Sequence, residues 1–214
     1  MLNNIIAIYK PKGPTSHDII DEIRKITGER RVGHAGTLDP LARGVLVIGI
    51  GRDATKKLSE VVKKEKEYIA EITFGVESLT DDAEGEKTQR NIKESPSRET
   101  IEKILAKFIG KIQQTPPIFS ALKIKGESAY RKARRGEKIK LKPREVEIKS
   151  VEVLKYEWPR LMLKVITGPG VYIRALARDL GQALGVGGYL SDLERTRVGE
   201  FKKEDALNLN QLRN

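Results

Sequence analysis

Residues 33–40, GHAGTLDP, set one carboxylate, Asp39, before a proline and after two glycines and His34. Pro40 biases Asp39 towards extended backbone, and Gly33 and Gly36 reach conformations closed to other residues, so the loop is expected to hold a rigid, exposed carboxylate with a defined direction. An ionised aspartate so held can attack a sugar carbon as a nucleophile, or stabilise or deprotonate a positively charged sugar-like species. The same residue types also make ordinary turns. Other chemistries are narrowed by what the chain lacks. With no Cys and only His17 and His34, disulfides, thiol catalysis and Cys-based zinc sites are excluded, and a metal would need an all-carboxylate site.

Two further patterns bear on function. Gly49-x-Gly51-x-x-Ala54, after an apolar run and before a helical one, fits a dinucleotide-binding turn. The acidic residue that should end the next strand is missing there, because Glu71 falls inside the run EYIAEITF. The second pattern is charge. The chain of 214 residues carries a formal net charge of +11, and residues 122–144 hold ten Lys/Arg against two Glu. Such concentration points to a partner with repeating negative charge, nucleic acid above all, with Lys123, Arg131, Lys132, Arg134 and Arg135 as candidate phosphate contacts. A solvated basic face or a non-catalytic RNA-binding module would show the same run.

These residues must be positioned by a folded core. At a prior of about one domain per 150 residues, the length allows one large domain or two small ones. An apolar run at 4–9 reads as a strand, and Ser16 caps a helix carrying Ile19, Ile20, Ile23 and Ile26 up to Gly28. Residues 29–44 lack apolar periodicity and read as a loop. A buried strand at 44–51, a helix at 54–64 and an alternating strand at 67–74 follow. Residues 80–85 are turn-like, 97–110 helical, 146–154 and 161–166 extended, and 171–185 helical, with a short mixed tail from 186. Irregular mixing of the two types favours α+β. No apolar stretch reaches the roughly 18 residues of a membrane span, and the N-terminus does not read as a signal peptide, so a soluble cytoplasmic protein is expected.

The motif GHAGTLDPLARGVL strongly resembles the catalytic motif of the TruB family of tRNA pseudouridine synthases. Further segments resemble that family in order and spacing: YKPKGPTSHD (9–18), ATKKL (54–58), KEYIAEITFG (66–75), DDAEG (81–85), PPIFSALKIKGESAYRKARRG (116–136) and GVYIRALARDLGQALG (170–185). The resemblance implies that Asp39 is the catalytic aspartate and Arg174 the arginine that pairs with it. It implies that Tyr68 stacks on the flipped uracil, that His34 intrudes into the T-loop, and that Tyr172 and Leu193 make further target contacts. Lys10 and Pro11 match the motif packed beside the catalytic loop. Leu79 departs from the pattern, standing where relatives often place an acidic residue.

The implied fold is a pseudouridine synthase catalytic domain spanning 1–214, a mixed sheet flanked by helices, with a basic insertion at 116–145 over the RNA and no C-terminal domain of the PUA type. The implied reaction is isomerisation of tRNA uridine 55 in the T-arm stem-loop, by a monomer without cofactor or metal. A base within an RNA fold must leave its stack to react, which calls for an aromatic platform and an intruding side chain.

Overall fold

The computed structural model describes residues 4–120, 122–124, 126–137 and 139–213, with the backbone alone at 123, 124, 128, 130 and 134. The chain opens with strand β1 (Ile5–Lys10) and helix α1 (Ser16–Thr27). The cap of α1 is Thr15 and not Ser16. Thr15 accepts the Asp18 amide while the Asp18 carboxylate accepts the Thr15 amide, a reciprocal box that requires the acidic residue three positions on. Ile19, Ile20 and Ile23 form its buried face, each worth about 1.5–3 kcal/mol on full burial.

The segment expected as a loop at 29–44 contains β2 (Val32–His34) and the start of β3 (Ala42–Ile50). β2 is too short to show periodicity. It exists through its antiparallel register on β3, with Val32 opposite Ile50 and His34 opposite Ile48. Helix α2 (Arg52–Val62) and strand β4 (Lys66–Phe74) follow close to expectation. A side-chain carbon at Gly49 would sit 3.0 Å from the Ala54 backbone, so the glycine pattern there serves close packing of α2 on β3.

A short hairpin, β5 (Val76–Ser78) with β6 (Lys87–Gln89), precedes α3 (Arg98–Leu105), which ends in a 3-10 turn over Ala106–Phe108. β7 (Gly110–Gln114) leads to the basic segment, which folds as β8 (Lys123–Ile124), β9 (Glu127–Ser128) and α4 (Ala129–Arg134). β10 (Arg144–Glu157), β11 (Arg160–Thr167) and α5 (Ile173–Ala183) complete this region. The tail read as short and mixed instead holds β12 (Gly188–Val198), followed by β13 (Phe201–Lys202). Charges within β12 hide its strand character, yet each finds a partner: Asp192 with Lys12 and Arg43, Glu194 with Tyr9 and Lys203.

The architecture is α+β, as expected. The chain divides into two compact units. The first comprises Met1–Ile69, Lys164–Pro169 and Asp192–Asn214, with neighbouring strands in the order β1-β3-β12-β4-β11. β3 is antiparallel to β1 along one edge. Its other edge carries β12 in parallel register, Leu193 opposite Ala42, and then β2. Ala7, Ala35, Val45, Val47, Leu58, Val61 and Val198 form a core cluster here. The second unit comprises Ala70–Leu163 and Gly170–Ser191, in the order β12-β4-β11-β10-β7, with Ile101, Ile148, Leu161 and Leu176 fully buried.

Candidate active site

Asp39 lies between β2 and β3 in a loop whose backbone is fixed at successive residues. The Ala35 amide donates to Val47, the Ala42 amide closes a turn on the Asp39 carbonyl, and the Gly13 amide donates to the Pro40 carbonyl. The buried Ser16 hydroxyl bonds both polar groups of Leu38. The carboxylate is half-buried rather than exposed, because Leu38 before it and Ala42 after it are drawn into the core.

Two buried cations bear on that carboxylate. The Lys10 ammonium donates to the carbonyls of Pro11 and Pro14 at 2.8 and 2.7 Å. Burial lowers it to about 8, against the opposing attraction of Asp39. Arg195, on β12, donates from Nε to the Val45 carbonyl at 2.7 Å and from Nη2 to the Gly36 carbonyl at 3.0 Å. Its pKa is pushed down by burial and held up by Tyr68 and Asp39. Gly44 makes room for it, since a side-chain carbon there would lie 2.2 Å from the Arg195 carbonyl oxygen.

Tyr68 is buried on β4, and Leu193 is buried on β12. His34 ends β2 with its ring edge-on to His17 at 6.1 Å, and its Nδ1 is buried without a hydrogen-bond partner. Burial, then His17 and Arg195, lowers its pKa. Pro11 is exposed.

In the second unit, Arg174 occupies the first turn of α5, 6% exposed. Its Nη1 pairs with Asp82 at 3.3 Å and donates to the Thr80 carbonyl, while Nη2 donates to the Phe119 carbonyl at 3.0 Å. One turn on, Arg178 pairs with Asp81 and donates to the Thr115 carbonyl. The two arginines thus fasten the 80–82 turn and the 115–119 segment to one helix face. Leu79, in that turn, is 64% exposed. Tyr172 caps α5 with its backbone held from both sides by Gln114, whose amide accepts its N–H at 2.9 Å and donates to its carbonyl. Arg144 lies over the Tyr172 ring at 5.0 Å.

Of the basic candidates, Arg131 is exposed. Lys132 and Arg135 are both engaged by Glu127 and Glu137, and Arg135 holds the Glu127 carboxyl down to about 2. The side chains of Lys123 and Arg134 lie outside the described residues. Among the described residues, no group of three or more His, Asp or Glu gathers as a metal centre.

Sequence reasoning missed Ser16, Gln114, Asp82 and Arg195. Each is a buried polar residue with at least one partner distant in the chain, and only the DDAEG turn around Asp82 left a local signal.

Solved structures share this fold. The chain matches one in "Crystal Structure of a Cbf5-Nop10-Gar1 Complex" at 31% identity and TM-score 0.76, over 97% of this chain and 53% of that one. It matches another in "Structure of H/ACA RNP bound to a substrate RNA containing 2'-deoxyuridine" at 29% identity and TM-score 0.72, over 97% and 51%. The chain thus spans about half the length of these solved chains. Residues 24–173 match the family described as TruB family pseudouridylate synthase (N terminal domain), which makes the class of this enzyme, an isomerase, that of the pseudouridine synthases. Residues 174–214 match the description tRNA pseudouridylate synthase B C-terminal domain. The chain belongs to the TruB family. It is 43% identical over 220 residues to the tRNA pseudouridine synthase B of Thermobifida fusca, covering 99% of this chain and 75% of that protein. The figures for the Streptomyces coelicolor protein of the same name are 45% over 219 residues, 98% and 72%.

Proposed function

We propose that this TruB-family chain isomerises uridine 55 in the T-loop of tRNA to pseudouridine. The N1–C1′ glycosidic bond breaks, the uracil turns, and C5 bonds to C1′, with a proton leaving C5 and another arriving at N1. The sum formula is unchanged, so the reaction asks for no cofactor or metal. The observation that carries this reading is the half-buried Asp39 carboxylate on a backbone pinned at Leu38 and Asp39, with Lys10 and Arg195 keeping the surroundings positive. A cationic setting favours the ionised form, which both nucleophilic and electrostatic roles need.

In this reading Arg174 pairs with Asp39, Tyr68 stacks on the flipped base, and His34 enters the vacated space. Tyr172 and Leu193 contact the target, Lys10 and Pro11 support the catalytic loop, and Lys123, Arg131, Lys132, Arg134 and Arg135 meet phosphates. The enzyme works as a cytoplasmic monomer on the T-arm stem-loop. The test is incubation of purified protein with unmodified tRNA, without added cofactor or metal, followed by carbodiimide-primer extension. One new stop at the T-loop uridine is expected. No stop, or stops only elsewhere, would reject the assignment.

A further inference from the structure

We infer that Lys87 is a positioning residue of the reaction: its ammonium acts as a tethered monovalent cation that shapes the turn presenting Asp81 and Asp82, and so aims Arg174. The inference rests on the reading of Arg174 given above. Lys87, at the start of β6, is half-buried, and its Nζ donates to the carbonyls of Asp82, Ala83 and Gly85 at 3.1, 2.9 and 2.6 Å. The Ser78 hydroxyl stands at 3.4 Å, and the centroid of the Tyr189 ring lies 4.7 Å from Nζ. An ammonium has three donors, so the three carbonyls occupy them all and none remains for a phosphate. None of these partners is a carboxylate. Carbonyl oxygens and an aromatic face are the surroundings that replace the water shell of a bare monovalent cation.

The turn needs such a charge. Three carbonyls converging on one point repel one another unless a cation sits between them. The turn is tight as well: Asp81 lies in the left-handed region at φ 62°, and a side-chain carbon at Gly85 would sit 2.4 Å from the Thr80 hydroxyl oxygen. Lys87 stands opposite Ser78 in the β5–β6 hairpin, so strand pairing returns its ammonium to the turn that the hairpin encloses. That turn anchors α5. Asp82 accepts the Thr80 hydroxyl and the Glu84 amide on Oδ1 and Arg174 Nη1 on Oδ2, while Asp81 accepts Arg178. Lys87 holds the backbone carbonyl of Asp82 itself. One ammonium thus fixes the residue from whose carboxylate the Arg174 guanidinium takes its direction.

The test measures kcat and RNA Kd for Lys87→Ala, Lys87→Met and Lys87→Arg with and without ammonium chloride, with folding checked by circular dichroism. Tetramethylammonium chloride, which has no N–H to donate, keeps the ionic strength constant. Lys87→Ala is expected to lower kcat by about tenfold or more while RNA Kd stays within about threefold, and ammonium should raise its kcat by about threefold or more. Lys87→Met, whose apolar chain fills the same space, should lose as much and gain nothing from ammonium. Wild-type kcat in Lys87→Ala, a loss confined to Kd, a lost kcat that ammonium leaves unchanged, or equal gains in the Ala and Met variants would overturn the inference. Should Lys87→Ala fail to fold, Lys87→Arg decides, since a planar fork cannot converge on all three carbonyls: reduced kcat with unchanged Kd supports the inference, and wild-type kcat overturns it. Arg174→Ala, run in parallel, separates this from failure of the underlying reading. Wild-type kcat there would remove the role of Arg174 and the inference with it, whereas an impaired Arg174→Ala beside a fully active Lys87→Ala overturns the inference alone.

Discussion

The Ser16 hydroxyl donates to the Leu38 carbonyl at 2.9 Å and accepts the Leu38 amide at 2.8 Å. One side chain at the start of α1 thus takes both backbone groups of the residue before Asp39, as a strand neighbour would, and ties the loop to a rigid helix. Ser16 and Leu38 are 1% and 3% exposed, so water cannot replace the lost oxygen. Ser16→Ala should therefore cost about 1–3 kcal/mol of stability for each buried group left unpaired. Its kcat should fall further than its RNA affinity. Urea unfolding and steady-state kinetics check both, and unchanged stability would show that the loop relaxes.

Lys10 gives a pH signature. Its folded pKa is lowered from 10.5 to about 8 by burial, with Asp39 and Asp18 opposing the shift and Arg195 adding to it. Between those values the unfolded chain binds more protons than the folded one, so this group's contribution to stability rises as pH climbs from 8 to 10.5. The Tm of wild type relative to Lys10→Met should accordingly move in favour of wild type across that range. Lys66, lowered to about 8 as well, is present in both proteins and cancels. A constant difference in Tm would mean that Lys10 is not desolvated.

How much could be read beforehand varies by element. β1, α1, α2, β4 and α5 follow from apolar spacing and glycine stops, and the motif residues Asp39, Tyr68 and Arg174 could be named. β12 could not, because its polar residues are satisfied by partners from Tyr9 to Lys203, which no local window sees. Arg195 was hidden for the same reason. Its acceptors, Val45 and Gly36, lie 150 and 159 positions away. Ser16 was misread as a cap, since one position separates it from the true cap, Thr15.

Arg174 donates to the Thr80 and Phe119 carbonyls and to Asp82, so substitution should separate charge from shape. Arg174→Lys keeps the charge near Asp82 but lacks the planar fork, and Arg174→Ala strands a buried carboxylate. The expected order of kcat is wild type, Lys, Ala, with stability falling by about 3–5 kcal/mol in the Ala variant as for other broken buried pairs. A salt-dependent loss of RNA binding with kcat intact would make Arg174 a phosphate contact instead.

In the basic segment, Glu127 and Glu137 compete with phosphate for Lys132 and Arg135. Glu127→Gln with Glu137→Gln should tighten tRNA binding and steepen its salt dependence. Replacing Arg131, Lys132, Arg134 and Arg135 with Gln should weaken binding and flatten the log–log slope by somewhat less than about 0.9 for each phosphate no longer neutralised. Filter binding across a salt series reads both, and slopes unchanged in either variant would leave the segment a solvated face.

The central claim is that the Asp39 carboxylate performs the chemistry, and Asp39→Asn tests it with nearly unchanged shape. Single-turnover pseudouridine formation on unmodified tRNA should fall below detection, while circular dichroism and tRNA Kd match wild type. Turnover at about a tenth of the wild-type rate or more would contradict the account, since removing the reacting carboxylate must cost far more than one power of ten.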